Sequence, residues 1–195
     1  MNQNPCGLVV IGGSTGGLEA MLVMLEHLRQ DYRIPTILVL HQRANRVSGV
    51  PEFLASKTHM RVLEAEDKQP IEWGTLYVAP PNYHLLVEKE KTLSLSCDAP
   101  VNYCRPAIDV TLETAAAAYG AALTACVLSG ANHDGANGAA EVKRRGGCVF
   151  VQRSDDAMMA VMPMAARAAT AIDGELDMQG MAVLLGSLVP AGERR

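Results

Sequence analysis

Short, continuously apolar runs alternate with longer amphipathic stretches along this chain. LVVI at 8–11 is the first such run, and a helical period follows from about Gly17 to Arg29. TILVL (36–40), MRVLEA (60–65) and GTLYVAP (74–80) read as further strands. YHLLVEKE and KTLSLSC, spanning 83–97, alternate apolar and polar positions and predict an antiparallel hairpin. AIDVTLETAAAAYG (107–120) predicts a helix with a glycine stop, and ALTACVLSG (122–130) a fully buried strand. GAAEVKRRGG (138–147) is another helix ending in glycine, CVFVQ (148–152) another strand, and the Ala/Met-rich tail from about Ser154 reads as mostly helical. Strands buried on both faces are apolar throughout. Their alternation with helices predicts an α/β fold: three layers around a doubly wound, mostly parallel sheet, with one small antiparallel hairpin. No repeat or linker interrupts the pattern, so residues 1–195 read as a single domain. Such a sheet carries its reactive loops at the carboxyl ends of its strands.

Composition narrows the function classes. The chain is 49% hydrophobic but only 4% aromatic, so its core must be aliphatic, with the ten methionines as filler. The net charge of −4, with no basic run, argues against nucleic acid as a partner. Lys143-Arg144-Arg145 and Arg194-Arg195 read as solvated helix ends. The five cysteines (6, 97, 104, 126 and 148) form no C-x-x-C pair and no Cys/His metal spacing. No metal or organic cofactor is expected. Scattered thiols suit a reducing cytosol, and the amino terminus resembles neither a signal peptide nor a membrane span, so a cytoplasmic protein without membrane insertion is expected.

The glycine loop IGGSTGG (11–17) offers the first chemistry. A dinucleotide fingerprint needs glycine two residues after Gly12, where Ser14 stands, and TILVL leads into His41 rather than a ribose-binding acid. A phosphate-binding P-loop needs lysine after its second glycine, and Leu18 follows Gly17. What remains is G-x-S-x-G, Gly12 to Gly16, the pattern of a serine on a sharp strand-to-helix turn. A glycine-rich helix cap is the plain alternative. A nucleophilic serine needs a base. His41 ends the second strand on the same edge of the sheet as Ser14, and His133 is the runner-up. His27 reads as a solvated helix face, and His59 and His84 as edge or surface positions. The orienting carboxylate is Asp134, in the loop after the buried strand at 122–130; its alternative role is capping the helix that begins near Gly135. Asp109 and Asp155 are weaker candidates, each better explained as a helix cap or first-turn residue. The order Ser…His…Asp does not fit an α/β-hydrolase, whose order is Ser…Asp/Glu…His.

Taken together, these segments resemble the catalytic domain of the CheB protein-glutamate methylesterases. The resemblance runs through IGGSTGG, the strand ending in His41, EAED (64–67), GTLYVAPPNYHLLV (74–87), APVNYCRPAIDV (99–110), LSGANHDGANG (128–138), RRGGCVFVQ (144–152) and the MP–AA pattern at 162–166. It implies Ser14 as nucleophile, His41 as base and Asp134 as orienting acid. Thr15 and Ala131 are implied as backbone oxyanion donors, and Arg105 and Met162 as residues shaping the site. Three positions depart from the family pattern: Leu40 before the histidine, Ala131 in place of methionine, and Met164 after Met-Pro. The implied activity is demethylation of glutamyl γ-methyl esters, and possible glutamine deamidation, on chemoreceptor cytoplasmic helices. The alternatives are a hydrolase acting on another ester or amide and a non-catalytic signalling module. The chain starts at the first strand of that catalytic domain, so the resemblance further implies a stand-alone form without a receiver domain, with a separate response regulator as a candidate partner.

Overall fold

The structure is a computed structural model that describes residues 5–42 and 49–191. Nine strands and six helices follow in chain order: β1 (Leu8–Gly13), α1 (Gly17–His27), β2 (Thr36–Leu40), α2 (Val50–Ala55), β3 (Arg61–Glu64), β4 (Thr75–Val78), β5 (His84–Val87), β6 (Leu93–Ser96), α3 (Ile108–Tyr119), β7 (Leu123–Val127), α4 (Ala136–Arg144), β8 (Cys148–Gln152), α5 (Val161–Ala169), β9 (Gly174–Leu176) and α6 (Met178–Ser187). Seven strands form one parallel sheet in the order β3-β4-β2-β1-β7-β8-β9, and β5 with β6 forms the antiparallel pair.

Both faces of the sheet are covered, which is why its central strands β1, β2 and β7 are buried at every position and mostly apolar, with Thr36 and Thr124 the buried polar exceptions. Val9, Ile11 and Leu38 pack under Met21, Met24 and Leu25 of α1 and Met181 and Leu185 of α6. Val10, Val39, Ala125 and Val127 face the other way, against Leu112 of α3, Val142 of α4 and Met162 of α5. This is the expected three-layer, doubly wound arrangement. From β1 the chain builds outward through β2, then returns to add β7 on the opposite side. The carboxyl ends of β1, β2 and β7 therefore meet at a switch in strand order, where open α/β sheets form their crevices.

The tail differs from its mostly helical expectation. Gly174–Leu176 adds a parallel edge strand to β8, too short for a period to show in sequence. Nor are all methionines core filler: Met158 and Met164 are exposed, in the segment that passes over the carboxyl end of the sheet. His84 is also not a surface residue. It is buried, accepting from the Ala107 amide at Nδ1 (3.2 Å) and facing the Ala99 carbonyl with Nε2 (3.1 Å). That pair fixes the neutral Nε2–H tautomer and clamps the 99–107 loop. Of the basic clusters, Arg144 and Arg145 pair with Glu141 at the end of α4, and Lys143 with Asp173. Arg194 and Arg195 lie outside the described residues. No described helix is long and apolar enough to cross a membrane.

Candidate active site

Strand register sets Ser14 beside His41. Gly12 pairs with Val39 and Gly13 with Leu40, and the His41 amide donates to the Gly13 carbonyl at 3.2 Å. The next residues on each strand thus leave the sheet side by side. Ser14 then turns sharply: its amide donates to the Ser129 carbonyl at 2.8 Å, and Gly16 takes the left-handed conformation (φ 82°) as α1 begins. A side chain at Gly16 would also strike Ser129 and Met158. Ser129 holds the turn from beneath, donating its hydroxyl to the Thr15 carbonyl at 2.6 Å and accepting from the Met159 amide at 2.9 Å.

Gly12 serves a different need. A Cβ there would lie 2.5 Å from Cγ2 of Ile108, the first residue of α3. The bare backbone of β1 lets the start of α3 come down onto the sheet, and that helix start positions Asp134. Asp134 is fully buried and accepts five hydrogen bonds. Its Oδ2 takes the Ile108 amide (2.6 Å) and His41 Nε2 (2.7 Å); its Oδ1 takes the Asp109 and Gly135 amides and Asn102 Nδ2, each at 3.1 Å. The carboxylate therefore caps α3, which has no side-chain cap of its own, rather than the following helix as its alternative role required. Asp109 returns the favour: it is buried, and its Oδ1 accepts from the Gly138 amide of α4 at 2.7 Å. Asn102 bridges the two carboxylates, donating to Asp109 Oδ2 at 2.9 Å. Burial pushes the Asp109 carboxyl up, and nearby Asp134 adds to the rise.

Electrostatics at His41 follow from these contacts. Burial of the ring opposes its protonation, but Asp134 and the neighbouring Cys104 outweigh burial, and the pKa is pushed up to about 9. For Asp134 burial acts to raise the value, yet His41 and the α3 amides bring it below the usual range. Because Nε2 is committed to Asp134, Nδ1 is the ring nitrogen left to act as a base.

The remaining expected residues also fall around Ser14. Met162 is buried over Gly130, where a Cβ would overlap its sulfur and lie 3.0 Å from Ser14 Cβ. Thr15 and Ala131 are exposed, and their amides make no hydrogen bond among the described residues. Arg105 ties its guanidinium to the Cys97 and Asp98 carbonyls (2.8 and 3.0 Å) on the rim of a 480 Å³ groove that His41, Gln42, Tyr103 and Cys104 also line. His133 is exposed and makes no side-chain hydrogen bond to Asp134, whose five partners are named above. Asp155 lies on the surface, paired with Arg153. Among the described residues, Ser14 Oγ makes no hydrogen bond; a nucleophile–base contact often forms only with substrate bound.

Asn102, Cys104, Gln42 and Ser129 were not singled out by sequence. Asn102 and Cys104 lie inside the quoted segment APVNYCRPAIDV, but nothing in their spacing shows that a loop between β6 and α3 reaches back to β2 and β7. Asn102 (φ 50°) and Tyr103 (φ 62°) are both left-handed, a conformation that asparagine tolerates.

This is a crevice at the carboxyl edge of a parallel sheet, with a serine, a histidine and a buried carboxylate at adjoining strand ends. The family model for CheB methylesterase matches residues 9–185. The crystal structure of the Thermotoga maritima CheB methylesterase catalytic domain superposes with a TM-score of 0.89 at 30% identity, covering 95% of this chain and 100% of that one. A Leptospira interrogans protein is 42% identical over 176 residues, covering 90% of this chain and 91% of that protein. The protein-glutamate methylesterase/protein-glutamine glutaminase 1 of Paramagnetospirillum magneticum is 36% identical over 171 residues, 86% of this chain but 44% of that protein. The chain belongs to the CheB methylesterase family.

Proposed function

We propose that this chain hydrolyses glutamyl γ-methyl esters on chemoreceptor helices, with Ser14 as nucleophile, His41 as general base and Asp134 as the carboxylate that orients it. The observation that carries this reading is the 2.7 Å bond from His41 to a buried, fully bonded Asp134, at the strand end next to Ser14. Ser14 Oγ attacks the ester carbonyl while Nδ1 of His41 takes its proton. The oxyanion that develops is met by the free amides of Thr15 and Ala131, a backbone role that does not depend on the residue type at 131. Collapse expels the methoxy group, protonated by His41 as methanol, and leaves a glutamyl ester on Ser14. Water activated by the same ring hydrolyses that ester, releasing glutamate and restoring the serine. Deamidation of glutamine follows the same course with ammonia as the leaving group, in keeping with the double name of the Paramagnetospirillum relative. Residues 1–195 work as one domain in this reading.

A fluorophosphonate probe tests the nucleophile directly. Peptide mass mapping is expected to place the adduct on Ser14 and to lose it in Ser14→Ala and His41→Asn. An adduct on another residue in the folded wild type would refute the assignment.

A further inference from the structure

Cys104 has no part in the reaction above. Its Sγ, a ring nitrogen of His41 and a carboxylate oxygen of Asp134 nevertheless all lie within 4.8 Å of one another. The three differ as ligands. Asp134 already accepts five hydrogen bonds and could join a coordination sphere only by releasing the start of α3. It stands instead where carboxylates stand behind metal-bound histidines, accepting the N–H of the nitrogen that does not ligate. That leaves Nδ1, with its ring orientation already fixed. Cys104 and His41 both line the open groove, so a hydrated ion can reach both. Asn132 Nδ2 donates to Cys104 Sγ at 3.2 Å, which holds the sulfur at the groove wall. Tetrahedral zinc needs sulfur and nitrogen about 3.5 Å apart, given bonds of about 2.3 and about 2.0 Å. The ring nitrogen and the sulfur of this cluster lie no more than 4.8 Å apart, close enough for small side-chain adjustments to bring His41 and Cys104 onto one ion.

We propose that His41 Nδ1 and Cys104 Sγ form an inhibitory site for a borderline-soft divalent cation, Zn²⁺ above all, with Asp134 as the outer carboxylate and water completing the tetrahedron. The bound ion takes the lone pair that the base would use and stands in the groove that His41 and Cys104 line. Thiolate and imidazole are poor ligands for hard cations, so Mg²⁺ and Ca²⁺ do not compete. Binding stands on geometry alone; only the inhibitory consequence rests on His41 being the base.

Co²⁺ serves as a spectroscopic stand-in for Zn²⁺ on the whole chain. The wild type is expected to develop a sulfur-to-cobalt charge-transfer band that Zn²⁺ displaces; Cys97→Ser and Cys148→Ser keep the band and Cys104→Ser loses it. In a methyl-ester assay Zn²⁺ inhibits reversibly on addition of EDTA, Mg²⁺ does not, and Cys104→Ser raises the half-inhibiting concentration at least tenfold. In the wild type, with no variant needed, Zn²⁺ slows alkylation of Cys104 by iodoacetamide. A charge-transfer band that survives in Cys104→Ser, or alkylation of Cys104 unchanged by Zn²⁺, overturns the site. A normal cobalt band in a protein without esterase activity would sink the catalytic reading and leave the metal site standing.

Discussion

At the scale of single residues, the proposed chemistry depends on how His41 is held. Its ring is bonded through Nε2 to a carboxylate that three backbone amides and Asn102 already keep charged. Burial works against protonation of the ring, but Asp134 and Cys104 together push its pKa up to about 9. A general base acts in its neutral form, so protonation below that value removes activity. We expect kcat/KM to rise about tenfold per pH unit from neutrality and to level off near pH 9. A profile that levels off near pH 6.5, the range of an unperturbed histidine, would show that His41 does not carry the base role in this environment. His133 offers the matching control. It is exposed and is not among the partners of Asp134, so His133→Asn should keep activity within about threefold, whereas His41→Asn should lose about three orders of magnitude or more. Turnover of the two purified variants decides between them; the reverse ranking would transfer the base to His133.

At the scale of elements, the site is a product of two helix starts locked to each other. Asp134, just before α4, caps α3, and Asp109, in the first turn of α3, binds the Gly138 amide of α4. The glycine of β1 makes this possible, since Ile108 occupies the space a side chain at Gly12 would need. Gly12→Ala should therefore cost about 1–3 kcal/mol by overpacking and lower activity by moving the partner of Asp134. Removing the colliding group should help: Gly12→Ala with Ile108→Ala should be less destabilised than the two single losses added together. Urea unfolding of the four proteins in the cycle measures this coupling. Strict additivity would mean that Gly12 and Ile108 do not meet as described.

At the scale of the whole molecule, the sequence pattern carried most of the architecture and part of the site. β1, β2, β7 and β8 were legible as short runs dominated by apolar residues, broken only by Thr36, Thr124 and Gln152, and the hairpin chiefly because β6 alternates. The edge strand Gly174–Leu176 was not, being three half-buried residues with no period to detect. Ser14, His41 and Asp134 were legible as residues at strand ends. Their support was not: the capping by Asp134 joins residues 26 apart, His84 clamps the loop that carries Asn102 and Cys104, and neither link leaves a local pattern. Membership of the CheB methylesterase family, with 95% of the chain superposing on the Thermotoga catalytic domain, makes a methylated receptor the natural substrate to offer the whole protein. The most direct test of the account is methanol release from methyl-labelled chemoreceptor, wild type beside Ser14→Ala, with both proteins shown to be folded. The wild type should release methanol and Ser14→Ala should be slower by about three orders of magnitude or more. Release by folded Ser14→Ala at the wild-type rate would contradict it.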